Sequence, residues 1–202
     1  MQSGTRPRSM RRSAPPYPPS LLSLLMESIP RFGPDHWIHR ESGISYLPCS
    51  TIKARQHWVP AMELLDTEAV RKLPGDTIKM YDTGTGSVVT VTLDNLPAHL
   101  EGSLHLHAID AYVDPRDPEK FTFFINNHAT PPPGQDAHAV GADSSVEVFE
   151  TRLGSKNWKH VKTVKHDLLL TPNNLVATGP RSFYASNDHF HKTSKVSVYQ
   201  AT

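Results

Sequence analysis

The chain has 202 residues, 37% of them hydrophobic and 20% charged, with 21 basic side chains against 20 acidic ones. That balance excludes a chain disordered throughout, which needs fewer apolar residues or a larger charge imbalance. It also gives no footprint for nucleic acid, whose binding rests on a clustered basic surplus. Cys49 is the only cysteine, so an internal disulfide and a thiolate metal cluster are both excluded.

Residues 1–30 stand apart from the rest. Seven of the 18 prolines fall in the first 34 residues, Arg6, Arg8, Arg11 and Arg12 are clustered there, and no acid precedes Glu27. The basic, serine-rich composition is weakly like a mitochondrial presequence, but the prolines oppose the amphipathic helix that such a segment needs. Its apolar stretch, Leu21 to Met26, is too short for a secretory signal and far short of the roughly 20 residues of a membrane span. Residues 1–30 are therefore expected to be a disordered tail and 31–202 the folded domain.

From Ile44 onward the chain reads as short β-branched and aromatic runs separated by Gly, Pro, Asp and Asn. The expected strands are Ile44 to Cys49, Thr77 to Tyr81, Ser87 to Leu93, His105 to Val113, Phe121 to Asn126, Val146 to Arg152, Trp158 to Lys165, Leu175 to Thr178, Phe183 to Asn187 and Lys195 to Tyr199. Asp82-Thr83-Gly84-Thr85-Gly86 joins the second and third as a hairpin. One helical excursion is expected over Met62 to Leu73, ended by Pro74-Gly75. Three consecutive prolines, Pro131 to Pro133, make a surface loop. The fold class is all-β. With roughly 40 to 50 residues per blade, residues 31–202 have room for about three to four propeller blades, though periodicity leaves sandwich and propeller open.

Four clusters could carry chemistry: His105-Leu106-His107 with Ile109-Asp110, Asn126-Asn127-His128, Pro172-Asn173-Asn174, and Asn187-Asp188-His189. All fall at strand ends or turns, where polar side chains can converge on one face of a β scaffold. Their oxygen donors suit a hard cation such as calcium, while His105 and His107, on alternate strand positions, could instead hold zinc. Each cluster also has a structural explanation. The histidines could be half-buried strand residues, and Asn173-Asn174 and Asn187-Asp188 could be turn formers.

The order of the clusters is more specific than any one of them. Leu106-His107-Ala108-Ile109-Asp110, Asn127-His128, Val164-Lys165-His166, the run Pro172 to Pro180 and the run Ser182 to His189 together resemble the serum paraoxonase/arylesterase family, particularly its fungal-type members. The resemblance covers about residues 76 to 200, and more weakly Gly33 to Ala61. It implies the N-terminal half, about three blades, of a six-bladed β-propeller with two calcium ions in its central tunnel, and hydrolysis of aryl esters and lactones. It implies further that His107 and His128 are the histidine pair that activates water. Asn173 would be a ligand of the catalytic calcium, and Asp35, the carbonyl of Ile109 and Asn174 would be ligands of the structural one. Asp188 and His189 would be a pair just behind the ligands.

The chain also departs from that pattern. Pro34-Asp35 stands where the family has Glu-Asp, and Asn174 where it usually has Asp, so two carboxylates are missing. The remaining ligands are expected beyond Thr202. Catalysis by this chain on a small-molecule ester or lactone is therefore expected to be impaired. The alternative is a non-catalytic half-propeller that binds a partner or self-associates through open sheet faces.

Overall fold

A computed structural model describes residues 35–193. The segment 1–30, Pro34 and the strand expected over 195–199 lie outside the described residues. The elements run β1 (Trp37–His39), β2 (Ile44–Cys49), α1 (Ile52–His57), β3 (Trp58–Val59), β4 (Leu64–Leu65), α2 (Thr67–Val70), β5 (Thr77–Asp82), β6 (Val88–Thr90), β7 (Thr92–Asp94), β8 (Leu106–Asp114), β9 (Asp117–Ala129), α3 (Ala137–Val140), β10 (Asp143–Arg152), β11 (Asn157–Val164), β12 (Pro172–Gly179) and β13 (Ser182–Asn187). The architecture is mostly strand with short helical turns, as the sequence leads one to expect.

Three β layers stack. A four-stranded sheet in the order β1-β2-β5-β6 faces a five-stranded sheet in the order β7-β11-β10-β9-β8, and the β12-β13 hairpin covers the other face of the second sheet. Alternation along β9 explains how one sheet serves two cores, because side chains on a strand point to opposite faces in turn. Phe121, Phe123 and Ile125 enter the first core with Tyr46, Ile78, Phe149 and Trp158. Phe124 enters the second with Ala108, Val146, Val148 and Leu175. Aromatic packing dominates the first core, where Phe123 stacks on Trp158 at 4.2 Å and Trp37 meets both Phe121 and Phe123 edge-on at 5.4 Å.

Two expected elements take a different form. The run Ser87 to Leu93 is not one strand: β6 stays in the first sheet, whereas β7 crosses to the second and pairs in parallel with β11. Val91, buried at the crossing, donates its N–H to Ile78 O at 2.9 Å. The helix expected over Met62 to Leu73 is α-helical only from Thr67 to Val70, and Met62 ends a separate 3-10 turn, Pro60–Met62. Asp66 ends the preceding extended segment and accepts from Ala69 N at 3.0 Å as an N-cap. Val70 rather than Ala69 enters the small core with Ala54, Trp58 and Leu65, and Met62 stays exposed. The short elements β1, α1 and α3 carry too few residues to show a period in the sequence.

Candidate functional site

The four polar clusters meet at one end of the second and third layers. In antiparallel order β8 and β12 begin where β9 and β13 end, so His107, His128, Asn173 and Asn187 lie on the same side of the stack. A β-bulge then re-aims one of them. Leu106 pairs with Asn127 and Ile109 with Ile125, so His107 and Ala108 both stand opposite Asn126. Leu106 and Ile109 both enter the first core, and Ala108 enters the second. The bulge thus turns His107 to the hairpin side, where its Nε2–H donates to Asn173 Oδ1 at 2.8 Å.

This hydrogen bond sets the tautomer of His107 and leaves Nδ1 without a proton. Burial pushes its pKa below the ordinary range, against the opposing effect of Asn173 and the nearby carboxylates of Asp188 and Asp35. His128 lies edge-on to it, with ring centroids 5.5 Å apart. Its Nδ1 is 3.1 Å from Ser144 Oγ, and the Pro172 carbonyl accepts from its ring. Burial first, then the charges of His107 and Arg55, push the His128 pKa down to about 3. Both imidazoles are therefore neutral at physiological pH, but only His107 has a nitrogen without a partner among the described residues.

Residues that no motif singled out hold this pair in place. The Trp58 indole donates to the carbonyl of His128 at 2.7 Å. Asp76, buried at the start of β5, accepts from Leu106 N at 2.8 Å and from Ser50, and its own N–H donates to Leu104 O at 2.7 Å. It so fixes the segment entering β8 one residue before His107. The positive charge of Arg55, on α1, lowers the pKa of His105, His107 and His128 alike. Nothing in the local sequence marks Arg55 or Asp76, because both act across more than 20 residues of chain.

The other expected site residues fall into two groups. Asp35 accepts from Ile109 N at 3.2 Å, which brings it beside the strand that carries His107. Asp188 N–H donates to Thr171 O at 2.9 Å, and its carboxylate lies 3.8 Å from Nδ1 of His189. Asn174, in contrast, is exposed and turns its Oδ1 onto Leu175 N at 2.8 Å. Asn187 bridges the loop before β12: its Oδ1 accepts from Leu170 N and Thr171 N at 3.1 Å, and its Nδ2 donates to Leu168 O. It is a structural clamp. His105, expected on the same face as His107, packs its ring against Trp58 at 6.0 Å.

As placed, these residues do not complete a calcium sphere, which takes six to eight oxygens. Asp35, Asn173, Asn174 and the Ile109 carbonyl come from one region, but Asn173 Oδ1 is held by His107 and Asn174 Oδ1 by its own backbone. Among the described residues no group of three or more His, Cys, Asp or Glu is arranged to hold a metal, so the zinc alternative for His105 and His107 finds no support.

Half-buried His107 and buried His128 form a neutral pair at one end of the stacked antiparallel layers, with amides and carboxylates around it, and a neutral imidazole of this kind can accept a proton. Comparison with known families identifies the relatives of the chain. The arylesterase family model matches residues 78–201, more than half of the chain, and the chain belongs to that family. It is 38% identical over 89 residues to chicken (Gallus gallus) serum paraoxonase/arylesterase 2, covering 44% of this chain and 22% of that protein. It is 32% identical over 88 residues to mouse (Mus musculus) serum paraoxonase/lactonase 3 and to human (Homo sapiens) serum paraoxonase/arylesterase 2, covering 44% of this chain and 21% of each. The chain thus spans about a fifth of the length of the curated relatives it matches. No helix among the described residues is long and apolar enough to cross a membrane.

Proposed function

We propose that the chain carries the histidine wall of a carboxylic-ester hydrolase acting on small aryl esters or lactones. His107 takes the proton of the attacking water through Nδ1 while Asn173 holds Nε2–H. His128, with both ring nitrogens engaged, fixes the ring beside it. A base of this kind contributes about 10²–10⁴ in rate, so turnover by this chain alone is low. The stacked sheets support successive blades of a partial propeller, and a calcium site drawn from Asp35, Ile109, Asn173 and Asn174 would be weak, for the reasons of geometry given above. The observation that carries the reading is the 2.8 Å bond from His107 to Asn173 beside His128, in a chain of the arylesterase family.

Phenyl acetate and an aliphatic lactone, assayed with calcium and with chelator, test it. Weak turnover above background that His107→Gln abolishes is expected; turnover unchanged by His107→Gln would overturn the reading. A second reading, self-association in place of catalysis, is favoured by the hairpin. Among the described residues β13 pairs only with β12, and the hairpin exposes Val176 and Tyr184. Sedimentation showing a stable dimer of a chain without hydrolytic activity would select that alternative.

A further inference from the structure

A pocket of about 190 Å³ has none of His107, His128 and Asn173 in its lining. Pro60, Ala61 and Leu65 supply apolar lining, and His138, His189, His191 and Lys192 supply N–H-bearing lining alongside Glu63 and two threonines. We propose that this pocket binds a short-chain carboxylate, the acid that an ester hydrolase releases.

Lys192 brings a permanent charge, and each imidazole brings at least one N–H whatever its protonation state. The acids at hand are Glu63, an exposed lining residue, and Asp188, which lies 3.8 Å from His189. Four N–H-bearing side chains thus stand against two carboxylates, a balance that suits an anion. The apolar lining suits a ligand that is more than a bare oxyanion. At 190 Å³ the space is below the roughly 300–1,000 Å³ typical of drug-sized ligands, which limits the alkyl part to a few carbons.

The walls are anchored. The Thr171 hydroxyl accepts from His189 N at 2.9 Å and donates to His189 O at 3.1 Å. The backbone of Lys192 presses on Gly141, which ends the helix that carries His138. A Cβ at Gly141 would come within 2.6 Å of Lys192 Cβ and 2.7 Å of its carbonyl oxygen, and the φ of +72° there is itself one that only glycine adopts freely. The pocket also joins the histidine site. Leu65 pairs with Trp58, whose indole holds His128, and Thr171 precedes Pro172, whose carbonyl accepts from the His128 ring.

Identifying the ligand as the acid product rests on the ester-hydrolase reading; the binding itself is tested without turnover. Isothermal titration of the full chain with butyrate, butyramide and inorganic phosphate should give butyrate the highest affinity. Loss of the charge in butyramide, or of its partners in the double variant Lys192→Met/His191→Gln, should weaken binding by about tenfold or more. Equal affinity for butyrate and butyramide would overturn the proposal, as would phosphate binding as tightly as butyrate or a double variant that binds butyrate unchanged. The two readings fail separately. Butyrate binding by a chain that never hydrolyses phenyl acetate upholds the carboxylate site and removes only its role as a product site. Hydrolysis without butyrate binding removes the pocket alone.

Discussion

Asp76 offers the most direct test of how the β8 entry is built. It is 8% exposed, and although one carboxylate oxygen accepts from Leu106 N and Ser50 also bonds the group, the other oxygen has no partner. Desolvation therefore prevails over these bonds and pushes the pKa up from 3.8 to about 6. At about 1.4 kcal/mol per tenfold change in the protonation equilibrium, the ionised form costs about 3 kcal/mol in the native state. The sign follows from linkage. Between pH 3.8 and 6 the native state binds the proton that the unfolded state releases, so this contribution to stability is fully present below pH 4 and is lost as pH rises through 6. His128 and His105, whose pKa values fall to about 3 and about 4, act in the opposite sense and dominate the wild-type curve on acidification. The difference between Asp76→Asn and wild type cancels them. Asn keeps an acceptor for Leu106 N and carries no charge, so the variant should be more stable than wild type at pH 7.5 by up to about 3 kcal/mol, and the gain should vanish near pH 4. Urea denaturation at half-unit intervals from pH 4 to 8 measures it. An Asp76→Asn variant less stable than wild type at pH 7.5, with a difference that does not change with pH, would refute the account of a desolvated carboxylate.

Substitutions at two further positions test the packing around the site. Glu147 is fully buried and accepts from Ser145 Oγ at 2.6 Å and Thr163 Oγ1 at 2.6 Å, and its Oε2 lies 2.9 Å from His160 Nε2. Glu147→Leu, which strands all three partners, should cost about 3–5 kcal/mol, and Glu147→Gln less; a Leu variant as stable as wild type in chemical denaturation would show the network to be dispensable. A Cβ at Gly75 would lie 2.7 Å from the carbonyl oxygen of Gly102 and 3.0 Å from Leu104 N, so Gly75→Ala should cost about 1–3 kcal/mol through a backbone shift, read as a lowered melting temperature.

The strands were largely legible in the sequence because their runs are β-branched and end at turn formers. Ile44 to Cys49 matches β2 residue for residue, and the Asp82 turn closes the expected hairpin, with Asp82 Oδ1 accepting from Gly84 N and Thr85 N. What failed depended on partners distant in sequence. The run Ser87 to Leu93 has the composition of one strand, and its division between two sheets follows from Lys156 O, which takes Thr92 N at 2.7 Å. The helical spacing from Met62 to Leu73 was genuine, but an aspartate in its middle serves better as a cap than as an interior residue.

For the candidate site, the parity of the meander explains what could be read. A polar residue at the start of one strand and another at the end of its antiparallel neighbour must share an end of the sheet, so His107 and His128 could be brought together from sequence order, and Asn173 with them once β12 packs on β8. Which imidazole nitrogen is left free could not be read. It depends on the bulge that turns His107 toward Asn173, and the adjacent apolar pair Ala108-Ile109, which breaks the alternation begun at Leu106, does not by itself say which residue is bulged. The surrounding charge is further still from view. Arg55 and Asp76 sit 52 and 31 residues before His107, in segments with no motif of their own, yet Arg55 helps keep the imidazoles neutral and Asp76 fixes the backbone that presents one of them. Asn187 shows the converse: its place beside Asp188 and His189 suggested chemistry, but all its bonds go to the loop it clamps. Strand-end polarity thus brings candidate residues together in this fold, and only the bonds each side chain makes separate those with a free nitrogen or oxygen from those that hold the ends of the strands.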